Sequence, residues 1–121
     1  MIGHVAFEVC DLPRSARFYD AIFYALGARR TFESEHAVAY GHDHEQFWIV
    51  ARGRPPAPGY GHVALQATGR AAVSGAYEAG LAHGGSDDGK PGMRPQYGPT
   101  YFAAYLRDPD GLRLELVAGA R

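Results

Sequence analysis

Two histidines open near-identical heptapeptides in this chain of 121 residues. Gly3-His4-Val5-Ala6-Phe7-Glu8-Val9 is matched 58 residues later by Gly61-His62-Val63-Ala64-Leu65-Gln66-Ala67. Four positions are identical and the other three exchange like for like. Downstream, Tyr19-Asp20-Ala21 pairs with Tyr77-Glu78-Ala79, and Gly27 with Gly85. A repeat of this length is one supersecondary unit used twice. Two copies make a pseudo-symmetric domain, in which equivalent histidines face each other across the axis and can share a metal ion. A third donor comes from the closing segment, where Arg113, Glu115 and Val117 alternate with Leu112, Leu114 and Leu116. His4, His62 and Glu115 form a set of two imidazoles and one carboxylate. Such a set binds Fe, Mn, Ni, Zn or Co and leaves coordination positions open for substrate.

The elements that must carry these residues follow from periodicity. Residues 2 to 9 alternate, with Val5, Phe7 and Val9 on one face and His4, Ala6 and Glu8 on the other, as in a half-buried strand. Asp11 offers a helix N-cap and Pro13 suits the first turn. Ala16, Tyr19, Phe23 and Leu26 recur at helical spacing, and Gly27 ends the helix. Strands are expected over Ala28–Glu33, Ala37–Gly41 and Gln46–Ala51, which makes the first half β-α-β-β-β. Arg52 to Gly61, rich in Pro and Gly, reads as a linker. The expected division is module 1 over about 1–52, linker over about 53–60 and module 2 over about 61–121.

In the second half a strand is expected over His62–Ala67 and a helix over Arg70–His83. A long loop over Ser86–Thr100 is expected to hold one short strand. A hairpin of Tyr101–Arg107 and Leu112–Ala118 closes on the turn Asp108-Pro109-Asp110-Gly111. The three alternating strands bury their aliphatic faces beneath the helices and present His4, Glu8, His62, Gln66, Arg113 and Glu115 on the other side. Ala6, Ala64 and Val117 share that side, and small residues there suit a cupped cavity. The segment Gly92–Tyr101 would form its rim. Arg94 could hold a carboxylate, Tyr97 and Tyr101 could donate phenolic hydrogen bonds, and Trp48 and Arg113 could line the pocket. His36, His42, His44 and His83 read as surface residues.

Composition narrows the function classes. A chain 46% hydrophobic and 12% aromatic can bury one ordinary core, so a single domain is expected. A net charge of −1 with no large Lys/Arg cluster argues against nucleic acid. The lone Cys10 allows no intrachain disulfide and no cysteine zinc site. No apolar run is long enough to cross a membrane, and the strand pattern begins at Ile2, ahead of which no signal peptide is expected. A cytoplasmic protein with a small-molecule substrate is the expectation.

Four segments together carry a resemblance: Gly3-His4-Val5-Ala6; Asp11-Leu12 with Phe18-Tyr19; Gly61-His62-Val63-Ala64-Leu65; and Asp108-Pro109-Asp110-Gly111 leading into Leu114-Glu115. In this order the chain resembles the vicinal oxygen chelate superfamily of glyoxalases, bleomycin resistance proteins and extradiol dioxygenases. The resemblance implies an α+β fold of two βαβββ modules, whose curved mixed sheets form a cleft around a divalent metal held by His4, His62 and Glu115. It also implies a homodimer, with sites that can be built from both chains.

One departure from the family matters. The fourth glutamate ligand of glyoxalase I would fall near Trp48 or Ile49, neither of which binds a metal or carries a proton. That argues against moving a proton between adjacent carbons. Glu8 remains as a substitute base. The expected function is a divalent-metal-dependent enzyme on a small oxygenated substrate, a lyase, isomerase, dioxygenase or transferase, with the metal as Lewis acid. The alternative is a non-catalytic small-molecule binding or resistance protein.

Overall fold

The computed structural model describes residues 1–57, 59 and 61–120. Its elements run β1 (Val5–Val9), α1 (Leu12–Ala25), β2 (Arg29–Glu33), β3 (Ala37–Gly41), β4 (Phe47–Ala51), β5 (His62–Gln66), α2 (Arg70–Ala82), β6 (Ser86–Met93), β7 (Phe102–Arg107) and β8 (Arg113–Ala118). They form two four-stranded mixed sheets, in the orders β1-β4-β3-β2 and β5-β8-β7-β6. The same topology occurs twice, as the repeated heptapeptide requires. The linker expected over Arg52–Gly61 contains neither helix nor strand at its described residues. Pro58 and Tyr60 within that span lie outside them.

Local chemistry explains most boundaries. The Asp11 carboxylate accepts from the Arg14 backbone N–H at 3.1 Å, capping α1, and Pro13 sits in the first turn where its missing donor costs nothing. Leu26 closes the helix, and Gly27 follows at φ +82°, a conformation that glycine adopts without strain. In the second half β6 departs from expectation. The stretch Ser86–Met93 is an eight-residue strand, not a short one within a loop. Its pairing with β7 shifts register twice, between Asp87 and Gly89 and again between Gly89 and Gly92, so its side-chain alternation is broken and no period-2 signal survives in the sequence.

Helix α1 covers the first sheet, α2 covers the second, and the two helices pack on each other. A single core therefore runs through both modules. Phe18, Tyr19, Ile22 and Phe23 of α1 meet Val73, Ala76 and Tyr77 of α2, with Ile49, Leu106, Leu114 and Leu116 closing the sheet sides. Gly80 marks a close approach of α2 to its neighbours: a Cβ there would stand 2.5 Å from Leu106 Cδ1 and 3.2 Å from Ile22 Cγ2. Two interior aspartates join the modules. Asp108 accepts the Tyr19 hydroxyl at 2.6 Å and the backbone N–H groups of Asp110 and Leu112 at 2.9 and 2.8 Å. Asp110 accepts from Arg14 at 2.9 Å and from the Cys10 backbone at 3.1 Å. The turn that sets the register of β8 is thus tied to α1.

Burial raises the Asp108 carboxyl pKa, opposed by its three hydrogen bonds. A raised folded pKa means that stability falls as pH climbs from the unfolded pKa through the folded one. The Tyr19 hydroxyl offsets this by favouring the charged form. Tyr19→Phe should therefore cost about 1–3 kcal/mol at pH 7, the range for a buried acceptor left without its donor. The cost should shrink as pH falls through the Asp108 pKa, as read by urea denaturation across pH 4–8. A cost that stays constant with pH would show that the hydroxyl does not act through the Asp108 charge.

Candidate metal and substrate site

The parallel pairing of β5 with β8 puts His62 opposite Arg113 and Ala64 opposite Glu115. The β7–β8 hairpin puts Tyr105 opposite Glu115 and Ala103 opposite Val117. Alternation then brings His62, Glu115, Val117, Tyr105 and Ala103 to the side of the sheet away from the helices. This side is not uniformly polar and open. Tyr101, Ala103 and Val117 are buried together, with Tyr105 packed against them. Glu115 lies among them and is only 3% exposed. Strand β8 is accordingly buried on both faces from Leu114 to Ala118.

A carboxylate at that depth needs donors. His62 Nε2 stands 3.0 Å from Glu115 Oε1. The Tyr101 hydroxyl donates to Oε2. Tyr105 stands opposite Glu115 on the neighbouring strand; its phenol pKa is raised by burial first, then by the Glu115 charge and hydrogen bonding toward it. The His62 ring meets the Tyr105 ring edge-on at 6.1 Å. Arg113 lies over the Tyr105 ring, with its guanidinium carbon 4.2 Å from the centroid, and donates to Asp88 at 2.8 Å. Asp88 also pairs with Arg107 at 3.1 Å. Rim residues Tyr97 and Tyr101 contact each other at 5.5 Å between ring centres.

The first module presents a different half-site. His4 is exposed just ahead of β1, and its ring lies 6.5 Å from Trp48. Ala6 pairs with Trp48 as Ala64 pairs with Glu115, so register makes Trp48 the structural counterpart of Glu115. Ala39, opposite Trp48, is likewise the counterpart of Tyr105. Trp48 lies against Phe32, with ring centres 5.2 Å apart. The module has a histidine but no carboxylate where the repeat would put one.

Within one chain, His62 and Glu115 meet but His4 does not join them. Among the described residues no group of three or more His, Cys, Asp or Glu comes together to hold a metal. The two that meet fit one cation. Two ligands bound at right angles at about 2.1 Å would stand about 3 Å apart, which is the observed separation of Nε2 and Oε1. The same approach is within hydrogen-bonding distance. Glu8 is held by Arg54, at 2.9 Å to each carboxylate oxygen, with Arg52 at 3.8 Å. The Arg54 hydrogen bonds lower its pKa, the wrong direction for a base near neutral pH. His36, His42, His44 and His83 are all exposed. Sequence reasoning missed Tyr105 and Asp88. Tyr105 was within reach: the tight turn at 108–111 sets 107 against 113, hence 105 against 115. Asp88 left no such signal, because the bulges of β6 break the alternation.

Comparison with known proteins agrees with this fold. The family model described as glyoxalase/bleomycin resistance protein/dioxygenase superfamily matches residues 1–116. The chain belongs to that superfamily. It is similar to a glyoxalase/bleomycin resistance protein from Albidiferax ferrireducens T118, at 30% identity over 94% of both chains and a TM-score of 0.82. A glyoxalase-related enzyme from Fulvimarina pelagi shares the fold at 21% identity, covering 97% of this chain and 86% of the other, TM-score 0.76. So does the fosfomycin resistance protein FosX from Mesorhizobium loti, at 22% identity over 99% and 92%, TM-score 0.72. No curated protein matches the sequence. Superfamily members generally use a divalent metal.

Removing the Tyr101 hydroxyl leaves a deeply buried Glu115 oxygen short of a donor. Tyr101→Phe should lower stability by about 1–3 kcal/mol, seen as a lower urea midpoint at unchanged denaturant dependence. An unmoved midpoint would mean that the hydroxyl does not support the buried carboxylate.

Proposed function

We propose that this protein is a divalent-metal-dependent enzyme acting on a small oxygenated substrate. The observation that carries the reading is the convergence of His62 and Glu115, 3.0 Å apart, on a buried carboxylate backed by two phenols. His62, Glu115 and His4 would hold the ion. Because His4 stands apart from the other two in one chain, the third ligand comes from a second copy in a homodimer, an assembly that superfamily members often form. When bound, the ion supplies Lewis acidity toward a substrate oxygen.

The remaining roles belong to the chain itself. Tyr101 and Tyr105 hold the Glu115 carboxylate in place. The packed patch of Tyr101, Ala103 and Val117 keeps water from it, and Tyr97 forms the rim. Trp48, where a fourth ligand would stand, offers an aromatic wall. With that position apolar and Glu8 engaged by Arg54, the site has no ready carboxylate base. The reading therefore favours chemistry driven by polarising a substrate oxygen over glyoxalase-type proton transfer. A second reading, a non-catalytic binder, draws support from the way His62 and the two tyrosines already satisfy Glu115 without an ion.

Metal content after purification without chelator separates the two. Wild type should carry near-stoichiometric divalent metal, and Glu115→Ala and His4→Ala should each lose it. Refolding those two variants together tests the shared site. Random pairing makes half the dimers mixed, each with one intact site, so about a quarter of the wild-type metal per chain should return. A mixture that stays empty would place His4 with the other ligands of its own chain. A wild type that stays empty after reconstitution with iron, manganese, nickel, cobalt and zinc would leave the binder reading.

A further inference from the structure

We infer that the site takes a small acid, with Arg94 as the counter-charge for a carboxylate lying about one phenol ring away from the His62–Glu115 pair. This rests on the reading of that face as a small-molecule site. Three cations border it, and they differ in what neutralises them. Arg107 and Arg113 share Asp88, at 3.1 and 2.8 Å. Among the described residues no carboxylate pairs with Arg94, whose terminal nitrogens donate to the backbone carbonyls of Lys90 at 2.9 Å and Met93 at 3.4 Å. Two weak acceptors leave most of the five N–H donors of a guanidinium available.

Arg94 is also held in position. It is half-buried, with its guanidinium carbon 5.9 Å from the Tyr105 ring centre. Its backbone N–H donates to the Tyr101 carbonyl at 2.8 Å and its carbonyl accepts from Tyr97 at 3.0 Å, so the base of the rim loop is closed on it. Two glycines of the bulged strand make the space. A Cβ on Gly92 would stand 3.0 Å from the Arg94 Nη1 atom, and one on Gly89 would stand 3.0 Å from the Tyr105 ring. Tyr105 spans from the Glu115 carboxylate to the two guanidiniums. A planar ligand with an oxygen at one end and a carboxylate at the other would reach from His62 and Glu115 to Arg94. The rigid donor fork of arginine suits a carboxylate.

The test is calorimetric binding of 4-hydroxybenzoate and of its neutral isostere 4-hydroxybenzamide, each with and without one equivalent of Mn(II) per chain. Wild type should bind the acid at least about tenfold tighter than the amide, the scale of one charge-assisted contact. Arg94→Gln should bring the two within about twofold by weakening the acid far more than the amide, and Arg94→Lys should recover part of the preference. No preference in wild type, a preference that survives Arg94→Gln, an equal loss of acid and amide, or no binding of either would each overturn the inference. The manganese arm separates this from the metal reading. Acid preference in chains that bind neither manganese nor iron, nickel, cobalt or zinc would keep the anion subsite and sink the metal. Manganese binding without an Arg94-dependent preference would do the reverse.

Discussion

A carboxylate removed from water costs several kcal/mol unless donors meet it, and Glu115 is 3% exposed. That requirement organises the second half of the molecule. One oxygen faces His62, the other accepts from Tyr101, and Tyr105 adds a third contact. Each donor comes from a different place: the start of β5, the end of the rim loop and the middle of β7. Keeping them together demands the register of three strands at once. The same demand explains why the tight turn at 108–111 is anchored through Asp108 and Asp110 to Tyr19, Arg14 and Cys10 of the other module. Slipping that hairpin by one residue would send Glu115 toward the helices and a leucine into the site.

The two modules share topology but have diverged in what they hold. In the second, a carboxylate and a phenol face each other across β8 and β7. In the first, the equivalent pair is Trp48 and Ala39, and the tryptophan packs against Phe32. Duplication thus supplied two histidines but only one acid. A half-site with one ligand and a half-site with two cannot each hold an ion alone. Their incompleteness within one chain, together with the exposure of His4, is the ground on which the proposed shared site rests.

Charge on the sheet face is arranged in a similar economy. Asp88 sits in an irregular strand and neutralises two arginines, whereas among the described residues Arg94 donates to backbone carbonyls. The bulges that misalign β6 place Asp88 beneath Arg113 and bring Gly89 and Gly92 beside Tyr105 and Arg94. A Cβ at Gly89 would stand 3.0 Å from the Tyr105 ring, and one at Gly92 3.0 Å from the Arg94 guanidinium.

The repeat, the capped helix and the closing hairpin were legible in the sequence because each depends on local rules: period-2 alternation, an Asp N-cap with Gly27 after the last turn, and a turn whose residues set its own register. The candidate ligands were legible for the same reason, since strand phase alone assigns His4, His62 and Glu115 to one kind of face. Local rules could not say which of these residues meet. That His62 reaches Glu115, that Glu8 is claimed by Arg54 from the linker, and that β6 is a long bulged strand all depend on contacts between segments far apart in the chain. Such contacts are chosen by packing and by the need to pair buried charge, neither of which leaves a period in the sequence. Sequence by itself determined the fold and the strand faces that carry the candidate donors. Only the tertiary structure decided which of those donors meet and which charges pair, because both depend on contacts between distant segments.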